Sequence, residues 1–288
     1  MRIQNVVYFY LLLEQGFITI PCMEIQGLQR LTLLDYPAKL ACTVFTRGCN
    51  LRCPFCHNAS LVLPHQFGSP EISLEDFFLF LDKRKGILDG VCISGGEALM
   101  QPGIEDFIRQ IHEKGFLVKL DTNGTFPERL RKLSEEGLLD YVAMDIKNAP
   151  ERYGKTVGIQ NLSTTAVRES VDFLLSGKQP FEFRTTVIRE FHDAEAFFQI
   201  GEWIRGNEPY FLQHFVDSGN LVGSLHLHSV DAREMNLFKE IVSAYVPNVE
   251  LRGVQNIAAK GGDALCTKSS NATENLSIST SKKFVELF

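Results

Sequence analysis

The sequence has no long hydrophobic segment and no basic stripe. An apolar run from Val6 to Leu13 has eight residues, far fewer than the ~20 that a membrane-spanning helix needs. The net charge is −6, and Lys and Arg are scattered rather than interleaved with aromatic residues, which argues against a nucleic-acid partner. We therefore expect neither nucleic acid nor a membrane among the partners of this protein.

A disulfide framework is also missing. The seven cysteines are an odd number in a chain of 288 residues, whereas disulfide-dense domains are short and pair their thiols. A reduced, cytoplasmic protein that uses thiolates as ligands or nucleophiles fits better. Three thiols, Cys49, Cys53 and Cys56, lie within eight positions, and no fourth follows nearby. The others fit no ligand spacing, and Cys42 and Cys92 are expected to pack as small apolar residues in strands.

Between residues 40 and 253 the sequence alternates between apolar, β-branched runs and helical patterns. Six runs predict strands: 40–46, 90–94, 116–122, 140–147, 181–188 and 210–216. Helical patterns begin near Ser73, Pro102, Pro127, Val167 and Asp193. This alternation predicts βα units and an α/β fold with a parallel sheet. Six units are too few for a closed eight-stranded barrel, so a partial barrel or a doubly wound sheet is expected, with functional loops after the C-terminal ends of the strands.

The chain divides into one domain and two flanking segments. Residues 1–22 are interpreted as a poorly specified extension, and the orderly sequence begins at Met23. The domain is predicted to run from residue 23 to 262. Residues 263–288 are rich in Ser, Thr and Asn without periodicity, which predicts a disordered or loosely attached tail.

The three-cysteine loop directly follows the first predicted strand, and its stop at three thiols is informative. A structural zinc site has four protein ligands. His57 could supply the fourth only with a strained coordination geometry, because it adjoins Cys56. A ferredoxin-type cluster also takes four cysteines. Three thiolates on a [4Fe–4S] cluster would leave one iron open to bind a small molecule and pass it an electron. The open cluster is the preferred interpretation, with zinc and plain thiols as alternatives.

Polar residues follow the next predicted strands as well. Gly95 and Gly96 would let the backbone approach a ligand closely, and Glu97 could receive an ammonium group. The segment from Asp121 to Gly124 (DTNG) could equally be a simple turn. Asp145 and Lys147 form a charged pair that needs a partner. Two further positions on predicted strands could point to a ligand or be satisfied structural residues, namely Arg184 and His214.

The loop CNLRCPFC resembles the cluster loop of the radical S-adenosylmethionine (SAM) superfamily, a resemblance that implies a partial (βα)6 barrel with parallel strands. The resemblance implies that Cys49, Cys53 and Cys56 bind a [4Fe–4S] cluster, and that the amino and carboxylate groups of SAM bind the fourth iron. It also implies that Phe55 packs near the adenine. The segment SGGEALMQP resembles the superfamily's GGE motif, in which the backbone and the glutamate bind the SAM amino group; the matching positions are Gly95, Gly96 and Glu97. Many members have Pro where this chain has Ala98.

DTNG and AMDIK resemble motifs of one subgroup, the glycyl-radical-enzyme activating enzymes. In that subgroup two aspartates lie near the SAM carboxylate and can hold a monovalent cation. The matching positions are Asp121, Thr122, Asp145 and Lys147. Together with the opening GLQRLTLLDYPAKLACTVFTRGCN, these motifs look most like the activating proteins of anaerobic ribonucleoside-triphosphate reductases.

What the resemblance implies is a reductive cleavage of SAM. A flavodoxin- or ferredoxin-type protein would reduce the cluster, the cluster would reduce the sulfonium, and a 5′-deoxyadenosyl radical would take hydrogen from a glycine of the partner reductase. Two alternatives stay open. One is a radical SAM enzyme acting on a small molecule or a peptide, which often carries a second cysteine cluster for an auxiliary cofactor; the sequence shows no such second cluster. The other is a non-catalytic metal or electron-transfer module, which has no need of a GGE loop.

Overall fold

The described part of the chain comprises residues 12–13, 16–17, 23–63, 72–217, 219–223 and 226–254 of a computed structural model. In the predicted extension, 1–22, it includes only a pair of antiparallel strands, β1 (Leu12–Leu13) and β2 (Gly16–Phe17). The rest of that segment, the tail predicted at 263–288 and two of the cysteines lie outside the described residues.

The main sheet has eight strands in the order β10-β9-β8-β7-β6-β5-β4-β3, so that β3 and β10 form its two edges. Only β3 is antiparallel to its neighbour, and all other pairs are parallel. The strands are β3 (Ile25–Thr32), β4 (Ala41–Thr46), β5 (Gly90–Gly95), β6 (Leu117–Thr122), β7 (Tyr141–Asp145), β8 (Phe181–Val187), β9 (Tyr210–His214) and β10 (Val249–Arg252).

The predicted α/β class with a mostly parallel sheet is confirmed, and the six predicted strands correspond to β4 through β9. The count of six was too low, because the sheet extends at both edges. β3 has a bulged register against β4 and mixes polar with apolar residues, so it shows no clean alternation. β10 has four residues, too few for a periodic signal.

Eight α-helices are found in the described part of the chain. They are α1 (Ala59–Val62), α2 (Leu74–Asp82), α3 (Ile104–Glu113), α4 (Pro127–Glu135), α5 (Tyr153–Thr156), α6 (Thr165–Leu175), α7 (Ala194–Trp203) and α8 (Ala232–Ser243). The side chains of Ser73 and Asp193 accept hydrogen bonds from the first turns of α2 and α7, as capping residues do. The helix predicted from Pro102 begins two residues later, because Gly103 adopts φ 72°. α1, α5 and α8 were not predicted.

Successive side chains of each strand point to opposite faces of the sheet. On β6, Val118 and Leu120 join the apolar core beneath the helices, whereas the residues between them, Lys119 and Asp121, meet polar partners on the other face. Cys42 and Cys92 are buried in β4 and β5, as predicted. No helix in the described part of the chain is long and apolar enough to cross a lipid bilayer. The parallel strands thus bring the loops that carry the sequence motifs to one edge of the sheet.

Candidate active site

The cysteine loop leaves the C-terminal end of β4 and carries three free thiols. Cys53 is buried, and Cys49 and Cys56 are half-buried. The amide of Cys56 donates to the carbonyl of Cys53 at 3.1 Å, which closes a tight turn between two of the thiols. The loop therefore concentrates sulfur in a shielded place beside the sheet edge.

Two other segments hold this loop in place. The amide of Arg52 donates to the carbonyl of Val157 at 3.0 Å. A Cβ at Gly158, where φ is 73°, would lie 2.4 Å from the carbonyl oxygen of Arg52, so this contact needs glycine. On the other side, the amides of Val222 and Gly223 donate to the carbonyls of Cys56 and Pro54. The thiols thus sit on a backbone anchored at both ends.

The three thiols of this loop are soft ligands, which suit the iron of an iron–sulfur cluster. Burial raises the pKa of all three thiols, to about 12 for Cys53, and a thiol that is deprotonated by iron is relieved of that cost. The ring of His57, the alternative fourth ligand, lies 5.5 Å from the ring of Phe215. Within the described residues, no three or more His, Cys, Asp and Glu side chains converge on the position of a single metal ion. A cubane distributes its three protein ligands over three irons.

The GGE loop packs directly against the cysteine loop. The amide of Glu97 donates to the carbonyl of Gly48 at 2.8 Å. A Cβ on Gly96 would lie 2.0 Å from that same oxygen, and one on Gly95, where φ is 111°, would lie 2.4 Å from the carbonyl oxygen of Thr46. We expected these glycines to admit a ligand to the backbone. The structure shows that Gly96 is needed first to bring the two loops into contact, and Gly95 to let the end of β5 lie against the end of β4.

Glu97 is fully buried, and its carboxylate is bound by protein donors. One oxygen accepts from the Thr122 hydroxyl at 2.8 Å and the Leu99 amide at 3.0 Å, and the other accepts from the Asn123 amide at 2.7 Å. Burial raises the pKa of Glu97 to about 7 against the opposing effect of these hydrogen bonds. A carboxylate has about four acceptor positions, so one remains for an ammonium group. That role stays a prediction.

Asn123 is a site residue that the sequence analysis did not single out. Besides its amide bond to Glu97, its side-chain nitrogen lies 3.7 Å from the sulfur of Cys49 and 3.0 Å from the side-chain oxygen of Asn50. Hydrogen bonds to ligand sulfurs tune iron–sulfur clusters. The DTNG segment is therefore more than a turn, and the signal was available, because Asn123 follows the predicted Thr122 directly.

Asp121 and Asp145 are brought together by Arg184. The guanidinium donates through Nε to Asp145 at 2.9 Å and through Nη1 to Asp121 at 3.2 Å. The register explains the contact, since Arg184 of β8 lies opposite Asp145 of β7. Burial opposes ionisation of both carboxyls, but the neighbouring cations outweigh it, and the pKa of Asp121 is lowered to about 2.

Two further partners of Asp121 were missed from the sequence. The hydroxyl of Ser94 donates to it at 2.9 Å, and the ammonium group of Lys119 forms an ion pair with it. Lys119 is 1 % exposed and also lies 3.8 Å from the sulfur of Cys92. Its signal was a lysine inside an apolar strand, two positions before an aspartate and hence on the same face.

Lys147 connects the aspartates to the cysteine loop. Its ammonium group donates to Asp145 at 2.9 Å and lies 5.9 Å from the centre of the Phe55 ring. Phe55 is buried and lies 6.0 Å from the ring of Phe191. Its contact with adenine remains a prediction.

His214 is the last residue of β9. Its Nε2 is 3.0 Å from the carbonyl oxygen of Val230. It lines a cavity of about 650 Å³ with Phe215, Leu227 and Arg189. Its contact with SAM stays a prediction.

The sequence of residues 43–197 matches the family model of the Radical SAM superfamily. This span runs from β4 to α7 and holds every predicted site residue except His214. The chain belongs to the radical SAM superfamily. A protein of Methanocaldococcus jannaschii, named as a glycyl-radical enzyme activating enzyme, is 30% identical over 235 residues, which cover 80% of this chain and 96% of that protein. This places the radical SAM chain among the activating enzymes of glycyl-radical enzymes.

Two other matches are partial. Pyruvate formate-lyase 1-activating enzyme of Escherichia coli is 33% identical over 128 residues, which cover 42% of this chain and 51% of that enzyme. The crystal structure of SuiB from Streptococcus suis matches with a TM-score of 0.56 at 12% identity, over 72% of this chain and 47% of that one. The radical SAM chain thus spans about half the length of each, and the SuiB likeness shows the fold alone.

Membership of this family implies a [4Fe–4S] cluster and SAM as cofactors, and the residues present fit both. Three thiols in a loop anchored at both ends suit the cluster. The remaining acceptor position on Glu97 suits the amino group of SAM, and the ammonium group of Lys147, near Phe55, suits its carboxylate. The two aspartates do not fit the third expected group, a monovalent cation, because the guanidinium of Arg184 bonds to both of them and lies where a shared ion would bind.

Proposed function

We propose that this radical SAM enzyme places a glycyl radical on a partner protein, and that the partner is an anaerobic ribonucleoside-triphosphate reductase. The observation that carries the proposal is a complete three-thiol site in a chain that aligns with 96% of a glycyl-radical enzyme activating enzyme. The identity of the reductase rests on the resemblance of residues 27–58 and of the DTNG and MDIK motifs to activating proteins of that class.

The residues of the chain would hold the cluster and SAM in place. Cys49, Cys53 and Cys56 would hold three irons, and Asn123 would donate to the Cys49 sulfur. Glu97 would orient the SAM amino group, since its carboxylate is fixed by backbone donors. With both cofactors bound, the cluster would supply the electron that cleaves SAM, and the resulting fragment would take hydrogen from the glycine of the partner.

Exclusion of water is the second task of the site. A primary carbon radical reacts with most nearby carbon–hydrogen bonds, so the SAM site has to be shielded and placed beside the target glycine. Cys53 and Glu97 are both buried, which provides that shielding. We propose a flavodoxin- or ferredoxin-type protein as the electron donor and the cytoplasm as the compartment, because free thiols and an iron without a protein ligand need reducing surroundings.

The test combines SAM cleavage with detection of the product radical. Anaerobically reconstituted protein, reduced with dithionite, should convert SAM to 5′-deoxyadenosine and methionine. Addition of an anaerobic ribonucleoside-triphosphate reductase should then give a glycyl doublet in electron paramagnetic resonance. A reductase whose radical-site glycine is replaced by alanine is the matched control and should give no doublet.

The outcomes separate the alternatives. A doublet on a different glycyl-radical enzyme but not on the reductase would keep the activase function and reject the partner. SAM cleavage without a doublet on any such enzyme would indicate a small-molecule or peptide substrate. Protein that binds iron but never cleaves SAM would indicate a non-catalytic module.

A further inference from the structure

The pair of aspartates at the end of β6 and β7 is already occupied by cationic side chains. Asp121 accepts from Lys119, Ser94 and Arg184, and Asp145 accepts from Arg184 and Lys147. Arg184 is the only residue of this group that bonds to both carboxylates. It occupies the position between them, where an ion shared by the two aspartates would have to lie.

Each of the four carboxylate oxygens has a protein donor. On Asp121, Oδ1 accepts from Lys119, and Oδ2 accepts from Ser94 at 2.9 Å and Arg184 at 3.2 Å. On Asp145, Oδ1 accepts from Arg184 and Oδ2 from Lys147, both at 2.9 Å. A hard cation needs several oxygen ligands at once. A sodium or potassium ion would have to displace the guanidinium to obtain them.

The charge of the group also disfavours a further cation. Its two carboxyls have lowered pKa values and its three cationic side chains have raised ones, as the opposite charges outweigh the effect of burial. All five are therefore ionised at neutral pH, with two negative and three positive charges. The Arg184 side chain is 14% exposed, so the surplus positive charge is weakly screened and repels a metal cation.

We propose that the guanidinium of Arg184 takes the place of a monovalent cation, so that this enzyme binds and cleaves SAM without sodium or potassium. Arg184 is thus a positioning residue, which fixes both aspartates through a covalently attached charge. This inference concerns the SAM site alone and does not depend on which protein receives the radical.

The first test uses cluster-free protein without SAM or partner. The melting temperature is measured in KCl, NaCl and choline chloride at equal ionic strength. The wild-type value should be the same in all three salts. Arg184→Ala should open a site between the aspartates. If the concentration of sodium or potassium is about ten times the dissociation constant of that site, the bound ion should raise the melting temperature by about 3 °C or more. Arg131→Ala, at an exposed arginine of α4, controls for the loss of a positive charge.

The second test measures 5′-deoxyadenosine formation by the reconstituted enzyme. Wild-type enzyme should react at the same rate in the three salts. Arg184→Ala should lose most of its rate in choline chloride and regain it in KCl or NaCl, a cation-specific rescue that a merely structural role of Arg184 would not give. Arg184→Lys should show no rescue, because an ammonium group still occupies the site.

Some results would overturn the proposal. It is wrong if wild-type enzyme loses SAM cleavage, or its apoprotein loses stability, when choline replaces sodium and potassium. It is also wrong if Arg184→Ala folds and responds to no monovalent cation in either measurement. Should Arg184→Ala fail to fold, the wild-type comparison in the three salts decides alone. Failure to activate a reductase would leave these results unaffected, so the two proposals are tested separately.

Discussion

The two halves of the site are built in different ways. On the β4–β5 side, the cysteine loop and the GGE loop are joined by backbone hydrogen bonds and by glycines that allow main chains to touch. On the β6–β8 side, Asp121, Asp145 and Arg184 are joined by charged side chains that satisfy one another. The first half leaves its sulfurs available for a metal, whereas the carboxylates of the second are already paired with cationic side chains of the protein. We infer that the β4–β5 side receives the cofactor and that the β6–β8 side supports it.

The largest expected effect is loss of a cluster ligand on the backbone-built side. Cys53→Ala should lower the bound iron from about four per chain to a minor fraction, and 5′-deoxyadenosine formation should fall to background. Cys42→Ala removes a buried thiol of β4 and should keep both properties. Iron analysis and product chromatography check this, and full SAM cleavage by Cys53→Ala would remove the ligand assignment.

On the charged side, loss of Arg184 should lower the unfolding free energy more than loss of an exposed arginine does. Arg184→Ala removes one cationic partner from each aspartate and leaves Lys119 on Asp121 and Lys147 on Asp145. Breaking a buried ion pair costs up to about 3–5 kcal/mol of unfolding free energy. The exposed Arg131→Ala should cost less than about 1 kcal/mol. Urea unfolding of the apoproteins measures both. Equal losses for the two variants would mean that the Asp121–Arg184–Asp145 group contributes no more than a surface pair.

On the backbone-built side, a single methyl group should separate the loops. Gly96→Ala places a Cβ against the carbonyl of Gly48, and such overpacking costs about 1–3 kcal/mol. At Gly206 the nearest atom to an added Cβ is the end of the Leu175 side chain, at 3.3 Å, so Gly206→Ala should cost less. Urea unfolding and the affinity for SAM report the effect. Unchanged SAM affinity in Gly96→Ala would show that the contact of the two loops is not needed for binding.

The last expected effect is a gradual one, a change in pH dependence. The pKa of Glu97 is raised from 4.5 to about 7 by burial, so the folded apoprotein binds more protons than the unfolded chain between those values. Its contribution to the unfolding free energy is then greatest below pH 4.5 and is lost as pH rises through about 7.

Glu97→Gln should remove this contribution, so the difference in unfolding free energy between variant and wild type should change by at most about 1.4 kcal/mol per pH unit in that window. His192, whose pKa is lowered to about 4 by burial, titrates with the opposite sign in both proteins and cancels in the difference. A difference that is constant with pH would show that Glu97 is ionised in the folded protein throughout.

The sequence predicted the backbone-built side better than the charged side. Cys49, Cys53, Cys56 and the GGE residues lie in contiguous motifs directly after predicted strands, so their proximity follows from the parallel topology. Lys119 and Ser94 were missed because their meeting with Asp121 depends on strand register and on which face each side chain occupies. The same reason applies to Arg184, for which the sequence left a ligand role and a structural role open. Its bonds to both aspartates depend on strand register, and a contact with SAM stays a prediction.

The two edge strands, β3 and β10, were not predicted for a different reason. β10 is short, β3 is bulged, and tertiary pairing rather than local pattern makes each of them a strand. The periodic segments between them, including α2, α4, α6 and α7, were recognisable because caps and apolar faces are local signals.

Electron paramagnetic resonance of the anaerobically reconstituted, dithionite-reduced protein tests the central claim most directly, when recorded with and without SAM. Three thiolates with one open iron predict a [4Fe–4S] signal whose g-values shift when SAM is added. A reduced-cluster signal that SAM leaves unchanged, or a protein that binds zinc in place of iron, would contradict the account.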